Sequence, residues 1–277
     1  MSTTENPKPV LVIGGTGKTG RRVVERLEAR GVPVRVGSRS SQPPFDWEDE
    51  ATWAPALRGA SAAYITYFPD LAVPGAPEAI EALSAVALEN GIRRLVLLSG
   101  RGEEEAQKAE DILMASGADW TIVRCSWFSQ NFSENFWRDP ILEGEFALPV
   151  GDVPEPFVDT DDIADVVVAA LTEDGHVGEL YELTGPRMLT FEQAIQEIAK
   201  ATGREIAFVP IPMEQYKTVL AEADVPDDFV WLITYLFTEA LDGRNAHLTD
   251  GVQRALGREP KDFSQYAREA AASGVWG

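Results

Sequence analysis

The opening segment of the chain joins an apolar strand pattern, a glycine-rich loop and an amphipathic helix, and it constrains the fold more than any other feature. Val10-Leu-Val-Ile13 is uniformly apolar, which is typical of a strand covered on both faces. The loop Gly14-Gly-Thr-Gly-Lys-Thr-Gly20 follows at once, and residues 21–30 carry apolar side chains at helical spacing before Gly31. The segment therefore predicts the first βα unit of a parallel sheet.

Strand and helix patterns go on alternating as far as Arg124. Further strands are predicted at Val32–Val36, Ala62–Thr66, Arg94–Leu98 and Trp120–Val123, with helices at 53–57, 77–90 and 103–116 between them. The stretch from Ser38 to Pro44 has no helical pattern, so we expect the usual second helix to be missing. Successive βαβ units predict an α/β fold with a Rossmann-like doubly wound parallel sheet.

The pattern changes after Arg124, where aromatic residues become dense. Val158 is predicted to open one more βα step, Leu180–Leu183 to form a late strand, and Thr190–Gln193 to begin a helix as a capping box. Beyond Met213 the pattern is mostly helical. We predict a single domain spanning 1–277, with a core at about 9–125 plus 155–185 and a smaller helical substrate lobe at about 126–154 plus 186–277.

Charge and cysteine content exclude several classes of protein. The formal net charge of −21 argues against nucleic-acid partners and anionic membranes, so any phosphate must be held by backbone amides and a few bases. Cys125 is the single cysteine, which fits a reducing cytoplasmic location. No Cys/His set has zinc spacing, and Asp159, Asp161 and Asp162 are better explained by a helix cap than by a metal site.

Neither end of the chain nor its longest apolar run predicts a membrane protein. Met1 to Pro9 is polar and unlike a signal peptide. Phe229–Phe237 is apolar but only half as long as a bilayer span, so we expect a buried helix there. That helix is also the candidate interface of a homodimer.

The glycine loop fits two spacings of a dinucleotide-binding motif. Gly15, Gly17 and Gly20 give G-x-G-x-x-G, and Gly14 in place of Gly15 gives G-x-x-G-x-x-G. Such glycines make the turn, admit the pyrophosphate and let helix pack on strand, while the helix N-terminus offers amides to the phosphates. A nucleoside-triphosphatase loop is excluded because Val12 stands where that motif needs glycine. The alternative is a plain glycine turn in a flavodoxin-like protein.

The residues after the second strand favour NADPH over NADH. NAD enzymes place an acid there for the ribose 2′-hydroxyl, whereas this chain has Gly37-Ser38-Arg39. Arg39 can pair with a 2′-phosphate, and Lys18 can add a second positive charge. The alternative is that Arg39 is a solvated surface base.

Several ordered segments together form a pattern typical of one family: Val10–Gly20, Asp46-Trp47, Leu95–Ser99, Asp119–Arg124, Trp127-Phe-Ser-Gln-Asn131, Asp162-Ile-Ala164 and Leu183-Thr-Gly-Pro-Arg-Met-Leu-Thr190. They resemble the NmrA-like family of atypical short-chain dehydrogenase/reductases, above all its quinone-reductase and ergot-alkaloid iminium reductase types. The resemblance covers nearly the whole chain and implies NADP(H) as cofactor and a small-molecule substrate.

The resemblance also implies a coenzyme site along the ends of successive strands. Asp46 and Trp47 match the adenine side, Thr66, Tyr67 and Phe68 the ribose and nicotinamide side, and Cys125, Ser126, Trp127 and Phe128 the nicotinamide itself. The predicted site is completed by Gly14, Gly15, Thr16, Gly17, Lys18, Thr19, Gly20, Ser38, Arg39, Ser99 and Gly100.

The catalytic pair of typical short-chain dehydrogenases is absent from the expected helix. Glu104 stands four residues before Lys108, where those enzymes have the tyrosine of Tyr-x-x-x-Lys, and Ala106 replaces the lysine of isoflavone-reductase-like relatives. The candidates are therefore Tyr67, Ser99 and Lys108, although Tyr67 also suits a core position and Ser99 a strand end. We interpret Glu103–Glu105 as a charge run at a helix N-terminus.

An aromatic cluster predicts the character of the substrate. Trp127, Phe128, Asn131, Phe132 and Phe136 are the candidate substrate-pocket residues, and they suit a flat or hydrophobic molecule. Packing within the lobe is the alternative.

Two functions follow from these features. The first is an NADPH-dependent oxidoreductase that reduces a quinone, an iminium or an activated carbonyl or alkene, acceptors that need little acid catalysis. The second is a non-catalytic redox sensor that binds NADP(H) and signals through a protein partner.

Overall fold

The computed structural model describes residues 7–134 and 136–277. Within them the strands are β1 (Val10–Ile13), β2 (Val34–Gly37), β3 (Ala62–Ile65), β4 (Arg94–Gly100), β5 (Asp119–Cys125), β6 (Glu145–Leu148), β7 (Glu179–Leu183) and β8 (Ala207–Pro210). Six of these form one sheet in the order β2-β1-β3-β4-β5-β7. β1 pairs in parallel with β2 and β3, and β3 with β4.

Helices flank the sheet and fill the rest of the chain. They are α1 (Lys18–Ala29), α2 (Trp53–Leu57), α3 (Ala76–Glu89), α4 (Glu104–Ala115), α5 (Arg138–Glu143), α6 (Thr160–Thr172), α7 (Phe191–Thr202), α8 (Met213–Glu222), α9 (Asp227–Tyr235), α10 (Gly251–Leu256) and α11 (Phe263–Ala272). No helix of the expected size follows β2, as the polar stretch after that strand predicted.

The predicted doubly wound Rossmann-like sheet is confirmed. Leu11, Ala63 and Leu97 of β1, β3 and β4 are buried in one core cluster with side chains of α3 and α4. The strand order reverses between β1 and β3, because β2 lies outside β1 and the later strands extend the other way. Open α/β sheets bind ligands beyond the carboxyl ends of the strands at such a switch point.

Two compact units are recognised in the chain. The first comprises the chain as far as Arg124, together with Ile163–Tyr181 and Arg254–Leu256, and the second comprises Cys125–Asp162, Glu182–Gln253 and Gly257–Gly277. Val158 makes a lone parallel bridge with Phe128 before α6 begins, and both residues belong to the second unit. The division into a core and a substrate lobe stays a prediction.

The second unit has a core built mainly from aromatic rings. Phe132, Phe146, Phe191 and Trp276 are fully buried there. β6 and β8 form a short parallel pair, and α7 packs against α11. The predicted capping box is confirmed, since the Thr190 hydroxyl accepts from the Gln193 amide while the Gln193 side chain accepts from the Thr190 amide.

The apolar run Phe229–Phe237 is helical as predicted, but most of its residues are only half-buried. α9 ends at Tyr235 and continues into a π-helical turn, Leu236–Ala240. Leu232 is the buried residue of α9, whereas Trp231 is 45% exposed and its ring stacks on Tyr235 at 5.6 Å between centroids. Among the described residues, no helix combines the length and apolar character required to cross a bilayer.

Candidate coenzyme and catalytic site

The glycine loop closes tightly between β1 and α1. The Gly14 amide donates to the Gly37 carbonyl at 2.9 Å, which ties the loop to the end of β2. Gly14 has a φ of +70°, a left-handed conformation that favours glycine, and its carbonyl accepts from the Gly17 amide at 2.8 Å. The loop thus turns within four residues and delivers Gly17 to the start of the helix.

Two of the loop glycines are required by packing. A Cβ on Gly20 would lie 2.1 Å from the Gly14 carbonyl oxygen, and a Cβ on Gly14 would lie 2.1 Å from the Thr66 Oγ1. Gly17 differs, because its Cβ would meet only the Gly14 oxygen at 3.2 Å and the residue is exposed. The geometry therefore gives Gly14 and Gly20 the packing roles and leaves Gly17 open to a ligand.

The N-terminus of α1 is suited to an anion. Its first turn carries no acidic residue, and Gly17 at the cap position has no side chain that could occupy the terminal amides. The Thr19 hydroxyl, by contrast, is buried and accepts from the Tyr64 hydroxyl at 3.0 Å. Gly15 is buried and Thr16 exposed, so the loop exposes its middle part. This glycine cradle fits the pyrophosphate of a dinucleotide.

The end of β2 carries a base and no acid. Arg39 is exposed, and no hydrogen bond or ion pair of its side chain is found among the described residues. The turn around it is ordered, since the Ser38 carbonyl accepts from the Ser41 hydroxyl at 2.8 Å and from the Phe45 amide at 2.9 Å. This position fits a 2′-phosphate beside the ribose.

Trp47 connects the β2 side of the site with the end of β3. Its indole N–H donates to the Thr66 carbonyl at 3.1 Å, and its ring lies 4.7 Å from that of Tyr67. Asp46 shapes the preceding turn, accepting from the Glu48 amide through its carboxylate. The predicted adenine-side and nicotinamide-side residues therefore meet through Trp47 and Tyr67.

Tyr67 and Ser99 are brought to the same level of the sheet. β3 pairs with β4 with Ile65 opposite Leu97, and continuing this register by two residues places Tyr67 beside Ser99. Ser99 is 5% exposed, and its hydroxyl has no hydrogen-bond partner among the described residues. Burial, with smaller contributions from Glu48 and Glu78, raises the pKa of Tyr67, so the phenol keeps its proton at neutral pH. Phe68 follows as a 64% exposed ring.

Glu103 corrects the interpretation of the acidic run at the start of α4. Glu104 and Glu105 lie in the first helical turn as expected, but Glu103 precedes it and is 8% exposed. Its carboxyl group lies over Gly100, where a Cβ would come within 2.2 Å of both carboxylate oxygens. A side chain at position 100 would therefore displace the Glu103 carboxyl group from this place.

Lys108 lies on the outer side of α4. Its ammonium group pairs with Glu105 at 2.7 Å and with Glu104 at 3.1 Å, and about half of its side chain is exposed. The hydrogen bonds to Glu105 and Glu104 raise the pKa of Lys108. This placement favours Tyr67 and Ser99 over Lys108 as candidates for catalysis.

The remaining predicted site residues belong to the second unit. Cys125 and Ser126 are buried, and the Ser126 hydroxyl donates to Glu155 at 3.1 Å. The ring of Trp127 stacks on that of Trp137 at 5.8 Å, and Phe128 is half-buried.

The predicted pocket residues of that unit have different environments. Phe132 has no exposed side chain and packs among Phe146, Phe157 and Phe263, which favours a core role. Asn131 is half-buried and Phe136 is 47% exposed.

The acidic residues around α6 form a cap. The Asp159 carboxylate accepts from the Asp161 amide at 2.7 Å, and Asp162 pairs with Arg258 at 2.6 Å. No group of side chains suited to hold a metal ion occurs in the part of the chain that the structure describes.

Comparison with known proteins agrees with this geometry. Residues 14–174 match the family model described as NAD(P)H-binding. The chain is 30% identical to an uncharacterized oxidoreductase of Bacillus subtilis, covering 95% of this chain and 96% of that protein. It is also 30% identical to the agroclavine dehydrogenase of Claviceps fusiformis, covering 94% and 96%, and 29% identical to the prestalk A differentiation protein A of Dictyostelium discoideum, covering 96% and 93%.

Solved structures share the fold. The NADPH-dependent quinone oxidoreductase of Escherichia coli superposes with a TM-score of 0.77 at 20% identity, covering 94% of this chain and 99% of that one. The triphenylmethane reductase of a Citrobacter species, solved with NADP(H), gives 0.76 at 18% identity, covering 95% and 99%. At these identities the likeness establishes the fold alone.

Proposed function

The chain belongs to the NAD(P)H-binding, NmrA-like family of atypical short-chain dehydrogenase/reductases, and on that basis we propose that it is an NADPH-dependent reductase of a flat or hydrophobic acceptor. The coenzyme supplies hydride to that acceptor, and the protein positions the two. Quinones, cyclic iminium ions and cationic triarylmethane dyes form the proposed substrate class. The named activities of the clavine, quinone and dye reductases support this class.

The observation that carries the proposal is the cradle at the switch point of the sheet. Gly14 and Gly20 allow the close packing of the loop, and Gly17 leaves the N-terminus of α1 accessible to a ligand. Arg39 is exposed just after β2. Tyr67 and Ser99 occupy the ends of the next two strands, where the reacting end of a dinucleotide would lie.

Turnover with a panel of acceptors tests the function. NADPH oxidation should accelerate with at least one quinone, cyclic iminium or cationic triarylmethane dye, and more than with simple ketones. The reason is that these acceptors take up hydride with less acid assistance than a simple ketone needs. Tight NADPH binding without turnover of any acceptor would contradict the proposal.

Replacing Arg39 tests the coenzyme preference. In R39A the affinity for NADPH should fall by about 10-fold or more, because a charge-assisted hydrogen bond is worth roughly 1.5–3 kcal/mol, while NADH binding changes little. Calorimetric titration of both coenzymes measures the ratio. R58A is the matched control, since Arg58 is exposed after α2 and far along the chain from the loop. An unaltered NADPH/NADH ratio in R39A would remove Arg39 from the site.

A redox sensor is the second candidate. It is favoured by one observation, namely that the helix position of the usual catalytic tyrosine holds Glu104, which forms an exposed ion pair with Lys108. The sensor would bind NADP(H) and have no acceptor, so the same turnover panel separates the two functions.

A further inference from the structure

We propose that Glu103, hydrogen-bonded to Asp70, is the proton donor of this reductase and replaces the absent tyrosine. The inference rests on the proposed reductase function and deepens it. It identifies the group that gives a proton to a neutral acceptor such as a quinone. A cationic acceptor needs no such proton, because hydride transfer alone makes it neutral.

The position of Glu103 is the first argument. Glu103 immediately precedes α4, and its side chain makes no capping hydrogen bond to that helix. Its carboxyl group packs on Gly100, one residue after Ser99. This is the carboxyl end of the strand next to β3, on the side of the sheet where ligands of doubly wound folds bind. Glu103 thus lies at the level of the candidate residues Ser99 and Tyr67.

An unsatisfied hydrogen-bonding group is the second argument. The hydroxyl of Ser99 is buried without a hydrogen-bond partner among the described residues, and the buried carboxyl group of Glu103 has the Asp70 carboxyl group as its partner. Buried polar atoms are rarely left without a partner. The Ser99 hydroxyl is therefore open to a ligand at the carboxyl end of β4, while the Glu103 carboxyl group lies over Gly100 on the other face of the same strand end.

The neighbours of Glu103 favour its protonated form. Asp70 follows β3, and its carboxylate is fixed by the Ala72 amide, which donates to Oδ1 at 2.9 Å. Burial and the nearby carboxylates of Asp70 and Glu110 raise the pKa of Glu103 well above its usual range, and its hydrogen bond to Asp70 acts in the same direction. Burial also raises the pKa of Asp70, but its hydrogen bonds with the Ala72 amide and with Glu103 act in the opposite direction, so Glu103 is the acid of the pair and Asp70 the acceptor.

Other charged groups nearby leave this assignment intact. Glu110, which lies further along α4, is paired with Arg124 of β5. Arg101 lies in the same loop and is also buried. The phenol of Tyr67 keeps its proton, so it adds no charge. Glu103 therefore stays the acid of this cluster.

The proton balance is simple. Quinone reduction consumes one hydride, which the coenzyme supplies, and one proton. Breaking the Glu103 carboxyl O–H bond as a new O–H bond forms on the acceptor provides that proton. The resulting Glu103 carboxylate regains a proton from water. A cationic triarylmethane dye becomes neutral on accepting hydride and uses no proton.

The test compares the two acceptors in E103Q. Glutamine keeps the shape and can still hydrogen-bond to Asp70, but it has no acidic proton to give. The ratio of quinone to dye turnover should fall by about 10²-fold or more, as expected for the loss of a general acid. E81Q, at an exposed position of α3, is the matched control and should keep the wild-type ratio.

A second variant and a spectroscopic measurement complete the test. Turnover of quinone should fall as the pH rises through the pKa of Glu103, and D70N should move this fall to lower pH because it removes the neighbouring negative charge. Infrared titration of the protein without coenzyme should show a protonated carboxyl band at neutral pH that is missing in E103Q.

Three outcomes are distinguishable. An active wild type with an unchanged acceptor ratio in E103Q, or without the protonated carboxyl band, overturns the role of Glu103 alone. A wild type that reduces neither acceptor removes the proposed function and this inference with it. A lowered ratio together with the lost band supports both.

Discussion

G20A is expected to lose coenzyme binding and to lower the free energy of unfolding by about 1–3 kcal/mol. The new methyl group would lie 2.1 Å from the Gly14 carbonyl oxygen and 2.8 Å from the Gly15 Cα, so α1 or the loop must shift. Both contacts are with backbone, which cannot relax as a flexible side chain can. Urea denaturation measures the stability, and calorimetric titration with NADPH measures the binding.

G17A provides the control for the same loop. Its methyl group would meet only the Gly14 oxygen, at 3.2 Å, so the stability should change little. NADPH affinity should still decrease, because the methyl occupies the open side of the helix N-terminus. Wild-type stability in G20A, or equal loss of stability in both variants, would contradict the packing roles assigned to these glycines.

R124M should destabilise the first unit by about 3–5 kcal/mol, since it leaves a buried carboxylate without its partner. Glu110 is 1% exposed, and the guanidinium of Arg124 binds both of its carboxylate oxygens. The Arg124 side chain is itself four-fifths buried. The free energy of unfolding from urea denaturation is the measurement.

Two further variants check the cause of that loss. R93M removes a surface ion pair whose partners are 61% and 42% exposed, and it should cost no more than about 1 kcal/mol. The double variant E110L/R124M should regain much of the stability, because no charge then stays buried unpaired. A double variant as unstable as R124M would mean that packing, and not charge, explains the effect.

The parts of the fold with strong local signals were predictable from the sequence. The βα units around Val10–Gly20 combine uniform apolar runs with glycines at fixed positions, and the capping box at Thr190 is defined within four residues. The two short strands β6 and β8 were not predicted. They pair with each other across some sixty residues of sequence, and Glu145 and Pro210 interrupt the uniform apolar runs that predicted strands such as β1.

The candidate site was predictable only where local sequence determines it. The loop Gly14–Gly20 and Arg39 could be placed because each directly follows a strand. The burial of Glu103, by contrast, depends on Gly100 and on Asp70 from another loop. Glutamates in a row before a helix ordinarily predict solvated charge. Phe132 shows the reverse: it was predicted to line a pocket and is fully buried. Aromatic residues in a segment do not show whether they line a pocket or fill a core.

Deuterium transfer tests the central claim most directly. NADPH labelled with deuterium at the 4R or at the 4S position of the nicotinamide ring is incubated with the protein and the acceptor that it turns over, for example a cationic triarylmethane dye, and the product is analysed by mass spectrometry. A reductase of the proposed kind transfers one deuterium from only one of the two labelled coenzymes, to the central carbon in the case of a dye. A product unlabelled from both coenzymes, or no product with any acceptor of the proposed class from a protein that binds NADPH tightly, would contradict it.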